Sequence, residues 1–304
     1  MKKKQLVFVL LYCIPVLAGL LFFFRTDYGM VVLKRIATLN HFVVDGNNGW
    51  LFYRGDLDYA LLPWNSAEKN LVAIDSMAKQ NNVTLIIVPV PNKIDLYPER
   101  LDERLKGFPY LKNKSARLMS RLKQRDVAIL DLYGRYQKAK DSVPFYDPDE
   151  AHATSYGIRI AVEETVKKFF PTYFSGGHPC LEEKKIPFLG SLAEKKSDSS
   201  TKREIDIYYN ACGRESDPAF KDTILIVGDS YCNYLEQYRG SYRDVLECYL
   251  GGHYLFQTYY KVDAGFKLSG KIQSLMEKRP RHKIIIWLFT AREFYKPLKV
   301  SLSR

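Results

Sequence analysis

The chain has 304 residues, 46% of them hydrophobic and 14% aromatic, with 46 Lys and Arg against 34 Asp and Glu and a net charge of +12. That apolar content is enough for a large buried core, which excludes a disordered or fibrous chain. The basic balance fits anionic glycans, a membrane surface or nucleic acid as partners.

Gln5 to Phe24 is a mostly apolar run without a charge, close to the ~20 residues that a helix needs to cross the hydrocarbon layer. Lys2, Lys3 and Lys4 precede it and hold the amino terminus in the cytoplasm by the positive-inside rule. A cleaved signal peptide would have an apolar core of about 7–15 residues ending in small side chains, whereas Leu21, Phe22, Phe23, Phe24 and Arg25 stand there. The expectation is a single-pass signal anchor over residues 1–25 in the inner or cytoplasmic membrane. Residues 26–304 then lie outside, in the periplasm or at the cell surface, where nucleic acid is the least suitable partner.

Asp45 to Asp56 carries turn residues and then a short aromatic strand. Asn65 to Gln80 has helical apolar spacing, and Val83 to Val90 is a continuous β-branched run of the kind found in a parallel sheet covered on both faces. Ser115 to Arg125 reads as a helix and Val127 to Leu132 as a strand. Ser155 to Phe170 reads as a helix capped by Ser155. Between 171 and 220 the pattern breaks into Gly, Pro, Lys and Ser, a polar surface insertion with a short strand near Ile205 to Tyr209. Cys180 and Cys212 bracket the heart of this insertion and are candidates for a disulfide in an oxidising compartment. Cys232 and Cys248 read as small buried hydrophobes, and no Cys or His spacing indicates a metal.

Periodicity returns with strands at Thr223 to Val227, Asp244 to Leu250 and Lys283 to Phe289, and with helices at Tyr231 to Arg239 and Ala264 to Lys278. The alternation predicts one α/β domain with a mainly parallel sheet and helices on both faces.

In such a sheet reacting groups gather beyond the carboxyl ends of the strands. Ser230 follows one directly in Ile224-Leu-Ile-Val-Gly-Asp-Ser230, where a hydroxyl can attack a carbonyl while its own amide faces the oxyanion; the plain alternative is a helix cap. His152 lies before a helix, with Glu150 and Asp149 close enough to orient its imidazole. His253 also borders a strand and is the competing base; His41 and His282 read as surface or packing residues, and His178 lies in the polar insertion.

Together these residues resemble the SGNH hydrolase superfamily and, more closely, its alginate O-acetyltransferase-like branch. The matching segments are Gly49-Trp-Leu-Phe52, Val88-Pro-Val-Pro-Asn-Lys93 with Tyr97-Pro-Glu99, Glu150-Ala-His152 and Gly228-Asp-Ser230, spread over about residues 45 to 300. The branch usually reads Asp-x-His-Trp where this chain has Glu150-Ala-His152-Ala153. The acid-His pair also precedes the serine, as in the circularly permuted members.

The resemblance implies a three-layer α/β/α fold, circularly permuted. It also implies acyl transfer through Ser230, His152 and either Glu150 or Asp149. By the same mapping Gly251 or Gly252 lends an amide to the oxyanion hole, and Arg292 stands where the superfamily has an Asn donor. Asn92 and Lys93 close a strand on the same edge and join the list of substrate or oxyanion residues. The implied activity is O-acetylation of an exported polysaccharide, without a cofactor or metal, with a membrane-bound O-acyltransferase delivering the acetyl group. A glycan O-acetyl esterase is the alternative, and an inactive glycan-binding or scaffold member of the same fold is a third reading.

Overall fold

A computed structural model describes residues 42–61, 67–103, 105, 110–175, 178–196, 202–213, 223–251, 253–260 and 283–295, together with Val16 and Gly19. The expected anchor, the expected helix at Ala264 to Lys278 and Gly252 lie outside these residues. Among the described residues no helix is long and apolar enough to cross a membrane.

A short antiparallel pair, β1 (Val43–Asp45) and β2 (Leu51–Tyr53), leads into α1 (Arg54–Leu61) and α2 (Ala67–Gln80). The main sheet is built from β3 (Thr84–Val90), β6 (Thr223–Gly228), β7 (Leu255–Tyr260) and β8 (Ile284–Thr290), in the spatial order β3-β8-β6-β7 with every pairing parallel. The expected strand at Val127 to Leu132 contributes a single parallel bridge, Ile129 to Ile87, at the outer side of β3. The remaining helices are α3 (Lys93–Leu96), α4 (Tyr110–Gln124), α5 (Tyr133–Ala139), α6 (Ser155–Phe169), α7 (Ser191–Lys196) and α8 (Tyr242–Leu250).

The continuous apolar runs divide by parity, as successive strand residues must point to opposite faces. Ile86, Val88, Val90, Ile224, Ile226, Ile286 and Leu288 pack on one side with Ile158 and Val162 of α6 and Val245 and Tyr249 of α8. Leu85, Ile87, Leu225, Val227, Ile285, Trp287 and Phe289 pack on the other with Leu71 and Ile74 of α2 and Leu118 and Leu122 of α4. Two separate cores on one sheet give the three-layer α/β/α arrangement, and burial on both faces explains why the strands lack polar alternation.

Three local expectations are corrected. Asp244 to Leu250 is not a strand but most of α8. Ser241 accepts from the Asp244 amide while the Asp244 carboxylate accepts from the Ser241 amide, a capping box that starts a helix. Tyr242, Val245, Leu246, Tyr249 and Leu250 recur at helical spacing, with Arg243 and Glu247 on the less buried side. The residues after Ser230 form two short 3-10 turns, Ser230–Cys232 and Glu236–Tyr238, with Leu235 and Arg239 at positive φ, rather than one helix. Finally, Thr154 caps α6 through its side chain, which accepts from the Gly157 amide. Ser155 instead accepts at 2.7 Å from the amide of Tyr208 in the insertion.

Much of the insertion lies among the described residues. β4 (Leu181–Phe188) and β5 (Arg203–Asn210) pair antiparallel, with α7 between them, and the Cys180–Cys212 disulfide closes the open end of the hairpin. Cys232 and Cys248 are free thiols, both buried.

Candidate active site

All four strands of the sheet run the same way, so the segments after β3, β6 and β8 emerge at one edge. Gly228 ends β6, and a Cβ there would stand 1.7 Å from the Leu288 carbonyl oxygen. Only glycine allows β6 to finish so close to β8. Asp229 then fixes the turn: one carboxylate oxygen accepts from the Tyr231 amide at 3.0 Å, the other from the amide and hydroxyl of Thr290, each at 2.8 Å. The aspartate is thus a strut between the ends of β6 and β8, and it presents Ser230 at the rim.

Opposite Ser230 stands the loop before α6. His152 Nε2 lies 2.8 Å from Ser230 Oγ, and His152 Nδ1 lies 2.7 Å from Glu150 Oε1. An ionised Glu150 can only accept, so Nδ1 carries the proton in the neutral ring and Nε2 is left to accept from the serine hydroxyl. Tyr234 stacks on the imidazole with ring centroids 4.4 Å apart and planes at 13°. Tyr231 approaches from a second side, its hydroxyl accepting from the Ala153 amide at 2.9 Å and bonded to the Tyr146 hydroxyl at 2.8 Å. The histidine therefore has its ring face and its following backbone fixed by residues that come directly after the serine.

Glu150 is buried and richly bonded. Oε1 accepts from the amides of Ala151 and His152 and from the Ser191 hydroxyl at 2.6 Å, and Oε2 accepts from the Ser191 amide at 2.8 Å. Burial on its own would push this carboxyl up, but the hydrogen bond and charge of His152 and the bonds from Ser191 outweigh it and hold the carboxyl at about 2. The group is a carboxylate across the neutral range. Asp149, the other candidate acid, points away and pairs with Arg203 of β5 at 2.6 Å.

Lys93 has no place at a substrate surface. Its side chain is 1% exposed, and its Nζ donates to the carbonyls of Leu51, Asp147, Pro148 and Glu150 at 2.7, 2.7, 2.8 and 3.1 Å, with the Trp50 ring 5.0 Å away. Burial lowers the ammonium to about 7 against the pull of Glu150, Asp149, Asp147 and Asp56. Four carbonyl acceptors exceed the two hydrogens of a neutral amine, so the geometry favours the ammonium. Asn92 is equally buried; its Nδ2 donates to Asp95 at 2.9 Å and its Oδ1 accepts from the Arg292 amide at 3.0 Å. Both residues are part of the floor beneath the site, which corrects the expectation that they meet substrate.

Arg292 emerges at the same edge after β8, where its guanidinium pairs with buried Asp56 at 2.8 Å and lies over Tyr53. Burial opposes its charge, but the fields of Asp56, Asp229 and Glu293 raise its already high pKa. Gly251 is at the wrong end of the sheet. It caps the carboxyl terminus of α8, ahead of β7, on the edge opposite Ser230. His253 is on that far edge too, against Tyr173. Both misplacements follow from reading α8 as a strand. Trp50 packs on Tyr97, and Trp287 is buried in the sheet.

The site also contains residues that the sequence did not single out. Tyr231 and Tyr234, one and four positions after Ser230, lie within one turn of it, and that spacing is the one signal pointing to them. Ser191 and Arg203 come from the polar insertion, and nothing local marks them.

Residues 43–177 match the family model for the SGNH hydrolase-like domain of the acetyltransferase AlgX, a span that includes Glu150 and His152 and stops before Ser230. No curated protein sequence matches the chain. Among solved structures, the O-acetyltransferase domain of Pseudomonas putida AlgJ is similar at 17% identity, over 85% of this chain and 94% of that one, with a TM-score of 0.62. Pseudomonas aeruginosa AlgX is similar at 20% identity, over 91% and 70%, with a TM-score of 0.57. Bacillus cereus PatB1, solved with a sulfonyl adduct, is similar at 9% identity, over 84% and 98%, with a TM-score of 0.54. The fold is that of the SGNH hydrolase-like α/β domains.

Proposed function

We propose that this chain, which carries the SGNH hydrolase-like domain of the AlgX acetyltransferase family, transfers acetyl groups to hydroxyls of an exported cell-surface polysaccharide through Ser230. It is an enzyme of the O-acetyltransferase and esterase class. The observation that carries the reading is the unbroken relay from Glu150 through His152 to Ser230, at 2.7 and 2.8 Å.

Ser230 Oγ attacks the acetyl carbonyl while His152 Nε2 takes the hydroxyl proton, and Glu150 stabilises the imidazolium that forms. The C–O or C–S bond to the leaving group then breaks, His152 returns the proton to that group, and an acetyl ester remains on Ser230. A sugar hydroxyl attacks this ester, His152 takes its proton, and the proton passes to Ser230 as the serine leaves. The Ser230 amide and the Arg292 guanidinium are the donors assigned to the oxyanion. Water in place of the sugar turns the same chemistry into ester hydrolysis, the second reading.

The apolar run at Gln5 to Phe24 makes this a single-pass protein of the inner or cytoplasmic membrane with the catalytic domain outside. The Cys180–Cys212 disulfide supports that placement, since such bonds persist in oxidising compartments. A membrane-bound O-acyltransferase is the assigned source of the acetyl group.

The test uses the full chain in detergent with an acetyl-ester donor and a polysaccharide acceptor. Acetylated glycan is expected from the parent, and loss of transfer from folded Ser230→Ala and His152→Ala. Free acetate alone assigns the protein to hydrolysis, and full activity in both variants refutes the triad.

A further inference from the structure

We propose that Ser191 is a positioning residue for the triad acid, and that the hairpin inserted after α6 is thereby part of the catalytic apparatus. The proposal rests on the reading of Glu150, His152 and Ser230 as a triad. Ser191 opens α7, the short helix between β4 and β5, and grips Glu150 at both oxygens: its hydroxyl donates to Oε1 at 2.6 Å and its amide to Oε2 at 2.8 Å. The remaining bonds to that carboxylate come from its own loop, the amides of Ala151 and His152 and the His152 ring. Ser191 is therefore the contact that fixes Glu150 from outside the loop, 41 residues away in sequence.

The hairpin is built to hold that contact. The Leu192 and Ala193 amides donate to the Asp149 carbonyl at 3.1 and 3.3 Å. A Cβ on Gly190 would stand 2.3 Å from that same oxygen, so the approach requires glycine. From β5, Arg203 bonds the carboxylates of both Asp147 and Asp149. On the far side the Tyr208 amide donates to Ser155, and the disulfide ties the base of the hairpin. Every residue from Asp147 to Glu150 is thus held either by Lys93 through its main chain or by the insertion, and among the described residues outside its own loop it is Ser191 of the insertion that bonds the Glu150 carboxylate.

A carboxylate held by a strong donor keeps its rotamer while His152 gains and loses charge. Without the Ser191 hydroxyl, Oε1 keeps His152 as its main side-chain donor, which strengthens that pair and favours the imidazolium. Ser191→Ala is therefore expected to combine slack positioning with a base that deprotonates at higher pH.

The experiment measures two things on the full chain. One is the rate at which an aryl sulfonyl fluoride labels Ser230, a step in which the serine oxygen bonds to sulfur, fluoride leaves and His152 takes the proton. The other is the pH profile of kcat/KM for an acetyl ester. Relative to the parent, Ser191→Ala should label about 10 to 100 times more slowly, show lower kcat at little-changed KM, and have an acid limb moved to higher pH. Ser191→Thr, which keeps a hydroxyl, should recover most of the rate, and Ser191→Cys, of similar size but a weak donor, should behave like Ser191→Ala. Parental labelling and an unmoved acid limb in Ser191→Ala and Ser191→Cys overturn the proposal alone. A parent that takes no label at Ser230 overturns the triad and the proposal together.

Discussion

Replacing Lys93 by methionine keeps an unbranched side chain out to the ε-carbon and removes the ammonium, which makes it a probe of the loop that carries Glu150 and His152. In the parent, that ammonium is shared by four main-chain carbonyls, one in β2 and three between Asp147 and Glu150. An ammonium has three hydrogens, so three full bonds are at stake, and each acceptor left without a donor in a buried setting costs about 1–3 kcal/mol. Removing the buried charge offsets part of that loss, because its burial is itself unfavourable, as the lowering of Lys93 to about 7 reflects. The net expectation is a destabilisation on the order of 3 kcal/mol, read as a fall in the urea midpoint at an unchanged m-value. The functional consequence is separate: with β2 and the loop no longer tied, Glu150 and His152 lose their fixed relation to Ser230, and kcat should fall at least about tenfold with little change in KM. Lys93→Arg should not rescue, since a planar guanidinium does not fit a cage made for a compact ammonium. A Lys93→Met protein with the parent's urea midpoint and kcat would show that the cage contributes neither stability nor alignment.

Two further outcomes separate the carboxylates. Glu150 is held at about 2, below its ordinary 4.5, so its contribution to stability is fully present above pH 4.5 and is lost as the pH falls toward 2. That loss amounts to roughly 3 kcal/mol, and unfolding free energy measured against pH should lose its slope in this window in Glu150→Gln. In activity assays Glu150→Gln should lower kcat on the order of a thousandfold by depriving the imidazolium of its counter-charge. Asp149→Asn gives up only a partly exposed pair with Arg203, about 1 kcal/mol or less, and should stay within a few-fold of the parent; a reversed order would move the acid to Asp149.

How far the sequence leads depends on how local each determinant is. Ser230 was legible because an apolar run ending in Gly-Asp-Ser reports a strand end directly, and the contacts that hold it, Gly228 against Leu288 and Asp229 against Thr290, are made at the ends of neighbouring strands. His152 was legible because two carboxylates, Glu150 and Asp149, lie two and three residues before it. The choice between Glu150 and Asp149 was not, because the residues that bond them, Ser191 and Arg203, come from a segment whose composition looks like solvent-exposed filler. Lys93 shows the same limit from the other side: a lysine after a strand reads as polar edge, and only the tertiary fold reveals carbonyls closing around it. The displacement of Gly251 and His253 to the far edge has a single cause. Read as a strand, Asp244 to Leu250 would end at the edge of Ser230; as the carboxyl-terminal part of α8 it ends at the opposite edge, and what is assigned to its end goes with it. In a doubly covered sheet, then, a buried helix misread as a strand costs more than a wrong element, because it transfers functional residues from one edge to the other. The remedy lies in the segment itself: Ser241 and Asp244 are spaced as a capping box, and Tyr242, Val245, Leu246, Tyr249 and Leu250 recur at helical spacing.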